Sequence, residues 1–138
     1  MKFNTILATL LMGVIFILSS CNKQDDEWSN YSYVALKIDS ISMPDSAQLG
    51  SAVAIRPYYQ RMENCEQFYG FDYQRSDFER TVLAVGLRNS VVQCGDTLTQ
   101  QSQFTFQPLE TGTYNFRFWN GRDAEGDNMF VNEEIVIY

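Results

Sequence analysis

"PLETGTYNFRFWNG", residues Pro108 to Gly121, opens on turn-forming residues and then alternates apolar with polar side chains. Tyr114, Phe116 and Phe118 share one face, and Asn115, Arg117 and Trp119 share the other. Successive side chains of a strand point to opposite faces, so the stretch reads as a turn followed by a half-buried strand with an aromatic inner row. The same period recurs outward. "YVALKIDSISMP" sets Val34, Leu36 and Ile38 against Tyr33, Ala35, Lys37 and Asp39, and "SAVAIRPYY" turns Val53 and Ile55 inward. Pro57 belongs near an edge or bend, because it has no N–H to give a ladder. "RTVLAVGLRN" groups Leu83, Val85 and Leu87, "SQFTFQP" groups Phe104 and Phe106, and the final "MFVNEEIVIY" offers Val131, Ile135 and Ile137 with Glu133 in phase. No amphipathic helix of useful length interrupts the pattern.

About seven short strands separated by turn signals predict an all-β sandwich or barrel, two architectures that periodicity does not separate. Pro108-Leu109-Glu110-Thr111-Gly112-Thr113-Tyr114 resembles the tyrosine corner of immunoglobulin-like domains. The resemblance implies an immunoglobulin-like β-sandwich in which Tyr114 opens the sixth strand and bonds its hydroxyl back to nearby backbone. Phe116 then stands where antibody domains carry their second cysteine, so Cys65 and Cys94 would not form the usual inter-sheet bridge. With its "GTYNFRFWNG" segment near the end, the chain also resembles uncharacterised Bacteroidota lipoproteins, a likeness that carries no activity.

Composition narrows the function classes. The formal charge is -7 and the ten Lys and Arg are scattered singly, so no basic stripe exists to neutralise phosphates and nucleic acid is a poor partner. Histidine is absent, which removes the commonest proton-transfer side chain and the commonest metal ligand. No G-x-S-x-G, Walker loop or dinucleotide fingerprint occurs. The paired Glu133 and Glu134 point to opposite faces of a strand and do not converge on one bond. An enzyme is not expected, and no cofactor is implied.

The N-terminus carries the address. Lys2, the apolar run Ile6 to Leu18 and the small residues Ser19 and Ser20 have the layout of a secretory signal peptide over residues 1–20. The run is about 13 residues, against the ~20 that a membrane span requires. Leu18-Ser19-Ser20-Cys21 resembles the lipobox of bacterial lipoproteins, which implies that Cys21 is lipidated and becomes the first residue after cleavage. Two or more acyl chains hold a protein to a membrane firmly, at ~0.8 kcal/mol per buried methylene. Asn22-Lys23-Gln24-Asp25-Asp26-Glu27 resembles the acidic export signal of Bacteroidota lipoproteins, which implies the outer face of the outer membrane; a solvated acidic tether is the plainer reading. Either way residues 21–31 form a flexible tether, reaching up to ~30 Å, below a domain of residues 32–138.

With Cys21 set aside, Cys65 and Cys94 remain. The strands around Arg75-Ser76-Asp77-Phe78 form a hairpin that brings Cys65 near Asn89, and Cys94 lies a short loop further on. An oxidising envelope favours a disulfide; a metal site would lack close-spaced partners and a catalytic thiol would lack a base.

Two stretches suggest contacts. "EQFYGFDYQ" alternates Tyr69, Phe71 and Tyr73 with Phe68, Gly70 and Asp72, so one row belongs to the core. An exposed second row, with Tyr69 and Tyr73 beside Trp119 and Arg117, would make a platform for a protein or glycan; the alternative is that both rows pack. "NGRDAEGDN" alternates Asp123, Glu125 and Asp127 as a calcium loop would, but it has Asn128 where an EF-hand needs glycine, and a solvated hairpin tip is the preferred account. The expected function is a lipid-anchored extracytoplasmic module that binds a protein or glycan non-covalently; the alternative is a structural or accessory component of an outer-membrane assembly.

Overall fold

The computed structural model describes residues 27–138. The expected signal peptide, Cys21 and the acidic residues before Glu27 lie outside the described residues. A 3-10 turn, Glu27–Asn30, leads into ten strands: β1 (Tyr31–Leu36), β2 (Ile38–Ser42), β3 (Ser46–Ala47), β4 (Val53–Met62), β5 (Glu66–Ser76), β6 (Glu79–Asn89), β7 (Thr97–Gln101), β8 (Phe104–Phe106), β9 (Gly112–Arg122) and β10 (Asn128–Ile137). Tyr31, assigned to the tether by sequence, opens β1 opposite Asn89.

The strands form two sheets. In the larger, β5 and β6 make a hairpin; the other edge of β6 is shared by β1, antiparallel along residues 84–89, and β9, parallel along residues 79–82, and β10 and β3 follow. In the smaller, β4 pairs β2 on one side and β7 and β8 in series on the other. Ten strands replace the expected seven because one long stretch is divided and two short strands, β3 and β7, add to the rest. The apolar row Val34, Leu36, Ile38 runs unbroken, yet β1 and β2 lie in different sheets. Lys37 is the crossing point: its carbonyl accepts from Gln60 N at 2.9 Å, and Asn120 Nδ2 donates to the Ile38 carbonyl at 2.7 Å.

Pro57 is in the middle strand of the smaller sheet, not at an edge. It lies level with the break between β7, which ends opposite Tyr58, and β8, which starts opposite Ile55, where the ladder is already interrupted. A second correction concerns β6. Its buried row is Arg80, Val82, Ala84 and Gly86, while Leu83, Val85 and Leu87 are half-buried on the outer face. Gly86 is small because Leu36 leans on it: an added Cβ would lie 3.0 Å from Leu36 Cδ2.

The core fills the space between the sheets. Phe116 and Phe118 of β9 and Ile135 of β10 are fully buried, facing Ile38, Ile55 and Tyr59 of the smaller sheet. Phe106 and Phe116 meet edge to face at 5.2 Å, and Phe116 stacks on Phe118 at 5.9 Å. Each such ring contributes about 1.5–3 kcal/mol by leaving water. Tyr114 opens the row as expected: its hydroxyl donates to the Glu110 carbonyl at 3.2 Å and accepts from Glu110 N at 3.3 Å. Tyr114→Phe should therefore lower stability by about 1–2 kcal/mol with no change in strand content, measured by urea denaturation; an unchanged midpoint would show these bonds to be idle.

The hairpin closes at Asp77-Phe78, with Ser76 opposite Glu79 and Asp77 at φ 48°. At its open end Asn89 N donates to the Cys65 carbonyl at 2.8 Å, and Cys65 is joined to Cys94 with Cα atoms 4.8 Å apart. Beside the disulfide, the buried Glu66 carboxylate pairs with Arg88 and accepts Met62 N at 2.6 Å. The base of the hairpin is thus fixed covalently and ionically.

Candidate binding site

The larger sheet ends in β5 and the smaller in β7 and β8, and along this flank the sandwich is open. Phe71, Tyr73 and Arg75 are register partners of Ala84, Val82 and Arg80, so they form the inward row of β5. Between them and β8 runs a cleft with two lobes that share Tyr73 and Thr105. The apolar lobe, about 350 Å³, is walled by Phe71 and Phe104, whose rings sit 5.1 Å apart. The polar lobe, about 380 Å³, is lined by Arg75, Arg80, Gln107 and Glu110 against Phe106 and Tyr114.

Arg80 is the unusual member. It occupies an inner position of β6, is 9% exposed, and lies over the Tyr114 ring at 4.8 Å. Its Nη1 donates to the carbonyls of Asp77 at 2.6 Å and Glu79 at 2.8 Å, tying it to the hairpin turn. No carboxylate lies within ion-pairing distance of it among the described residues. Burying a cation is unfavourable unless it is paired or fully hydrogen-bonded. The polar lobe thus carries a fixed positive charge at depth, with Arg75 exposed at the rim.

The contact residues expected from sequence do not converge. A bulge between Phe68 and Gly70 breaks the alternation in β5. Phe68 consequently stacks on core Tyr59 at 4.9 Å and Phe71 follows it inward. Tyr69, 60% exposed, packs edge-on against Tyr33 at 5.0 Å on the outer face. Tyr73 lies in the cleft, 5.8 Å from Phe104. Trp119 sits on the outer face of β9, where its Nε1 donates to Asn128 at 3.0 Å and the neighbouring Arg117 lies 4.2 Å over Phe130. Of the three, only Tyr73 lines the cleft. Arg80 was missed because the heavier row Leu83, Val85, Leu87 masks the lighter inner row that contains it; an arginine in phase with Val82 and Ala84 is the signal that marks it.

Asp123, Glu125 and Asp127 form the tip between β9 and β10. Asp123 Oδ1 accepts from Glu125 N at 3.1 Å and Asp127 N at 2.8 Å, so this carboxylate braces its own loop. Among the described residues no three His, Cys, Asp or Glu side chains come together as metal ligands. No helix among them is long and apolar enough to cross a membrane.

Burial raises the Tyr73 pKa above its ordinary value, with Arg80 and then Arg75 opposing; burial raises that of Tyr59 too, against its Ser102 hydrogen bond and Arg61. The folded chain then holds phenol protons that the unfolded chain releases, so this stability is complete below about pH 10 and is lost as pH rises further. The melting temperature should stay level from pH 7 to 9 and fall by pH 11; a level profile to pH 11 would contradict the burial assigned to these rings.

The polar lobe and the chain entry lie at opposite ends of the β5–β6 hairpin. Ser90 N donates to the Asn30 carbonyl at 2.8 Å beside the disulfide end of β6, whereas the polar lobe adjoins the Asp77-Phe78 turn. The 11 residues of β5 separate these ends by about 33 Å. Neither family models, curated proteins nor solved structures yield a match for the chain.

Proposed function

We propose that this protein is a lipid-anchored binding module of the outer membrane, exported by residues 1–20, held through Cys21 and displayed at the cell surface, and that it binds a protein or glycan without chemistry. One observation carries the reading: a cleft with a buried arginine that has no ion pair runs from the middle of β5 to the Asp77-Phe78 turn, the end of the hairpin away from the residue at which the tether enters. A chain tethered at its N-terminal end leaves that end of the sandwich accessible. As scaffold we infer a variant of the immunoglobulin-like sandwich. The Tyr114 corner and the β9–β10 hairpin support it. The variation is that β6 lies parallel beside β9, a position that antiparallel β5 would hold in the usual order.

The test blocks the cleft. Tyr73 is a half-exposed inward side chain of β5 that lines both lobes, so Tyr73→Glu places a carboxylate beside Arg80 and occupies the cation from within. Capture from native envelopes with the wild-type chain should retain a component that the variant does not. Identical capture by both would refute binding in the cleft, and protection of the domain from protease on intact cells would refute surface display.

A further inference from the structure

We infer that the cleft takes an extended peptide segment, laid along the free edge of β5, with one carboxylate on Arg80 and Arg75 and an apolar side chain against the joined rings of Phe71 and Phe104. The inference rests on the binding-module reading above and names its partner class.

Three features align. First, β5 pairs with β6 along one edge and, among the described residues, with no strand along the other. An unpaired edge offers a row of N–H and C=O groups that an added strand completes. Second, Phe71, Tyr73 and Arg75 are two residues apart, so apolar wall, phenol and cation follow one another at about 6.7 Å intervals. A partner strand carries its own side chains at the same interval. Third, the charge is complementary. Arg80 donates to two carbonyls through one nitrogen and shares a hydrogen bond with Tyr73, and among the described residues no carboxylate lies within ion-pairing distance of it. A carboxylate facing a guanidinium gains two parallel charge-assisted bonds. Asp77 and Glu110 also line the lobe and disfavour a polyanion, which limits the occupant to a single carboxylate at this point. A sugar acid would answer the charge but leave the backbone edge of β5 unused, so the peptide is the better fit.

The carboxylate belongs either to a chain end or to an Asp or Glu side chain. The full chain in detergent is applied to arrays of random octapeptides with free C-terminal acids, with amidated ends, and with amidated ends lacking Asp and Glu. Retained peptides should carry a carboxylate and an apolar residue, and the strongest should weaken at least tenfold on Arg75→Gln, a rim substitution outside the core, and on Arg80→Lys. Bound peptide should also slow hydrogen exchange of β5 amides between residues 70 and 76. Retention confined to free acids assigns a chain end, and retention of amidated acidic peptides a side chain; both support the inference. It is overturned if carboxylate-free peptides bind equally, if both arginine variants bind as before, if nothing is retained, or if only a polygalacturonate oligosaccharide is held. In the last two cases the Tyr73→Glu capture still decides separately whether the cleft binds anything.

Discussion

Phe116→Ala is expected to lower the unfolding free energy by about 3–5 kcal/mol, enough to leave a domain of ordinary stability largely unfolded under mild denaturant. The ring is fully buried and touches both Phe106 of the smaller sheet and Phe118 of its own strand. Its strand is flanked by β6 and β10, so the surrounding backbone is held on both sides and collapses little into the cavity. Urea titration should show the midpoint falling with the slope unchanged, the signature of lost stability without a new denatured state. A loss below 1 kcal/mol would mean that the two sheets do not pack through this ring.

Replacing Cys65 and Cys94 together by alanine should cost about 3.6 kcal/mol, from the loop entropy of a crosslink spanning 29 residues of sequence. For a domain of this size that corresponds to a melting temperature lower by about 15 °C, and reductant should lower the wild type by the same amount. The disulfide stands at the tether end of the β5–β6 hairpin beside the Glu66 and Arg88 pair, while the polar lobe lies at the other. Below its lowered melting temperature the variant should therefore keep the ligand preference of the wild type. Equal melting of reduced and oxidised chains would remove the crosslink from the account of stability.

What could be read in sequence was local. The β5–β6 hairpin, its turn and the partnership of Cys65 with Cys94 follow from residues close along the chain, and so does the Tyr114 hydroxyl returning to Glu110. Choices made by distant partners were hidden. The row Val34, Leu36, Ile38 has one period but serves two sheets, because burial on one face does not specify which edge the backbone joins. β6 is flanked on both edges and its outer face is half covered, so both of its rows are apolar and period two cannot tell them apart. In β5 a single extra residue at the bulge sends Tyr69 outward and Tyr73 into the cleft, although the two are four residues apart and in phase by count. Arg80 became visible only once β6 was seen to face inward with it.

The most direct measurement places a photo-crosslinking residue at position 73, in the cleft, and separately at position 136, on the exposed outer face of β10, and irradiates intact cells. A discrete adduct from 73 and none from 136 is the predicted result. The same adducts from both positions, or none from 73, would contradict a tethered module that binds through this cleft.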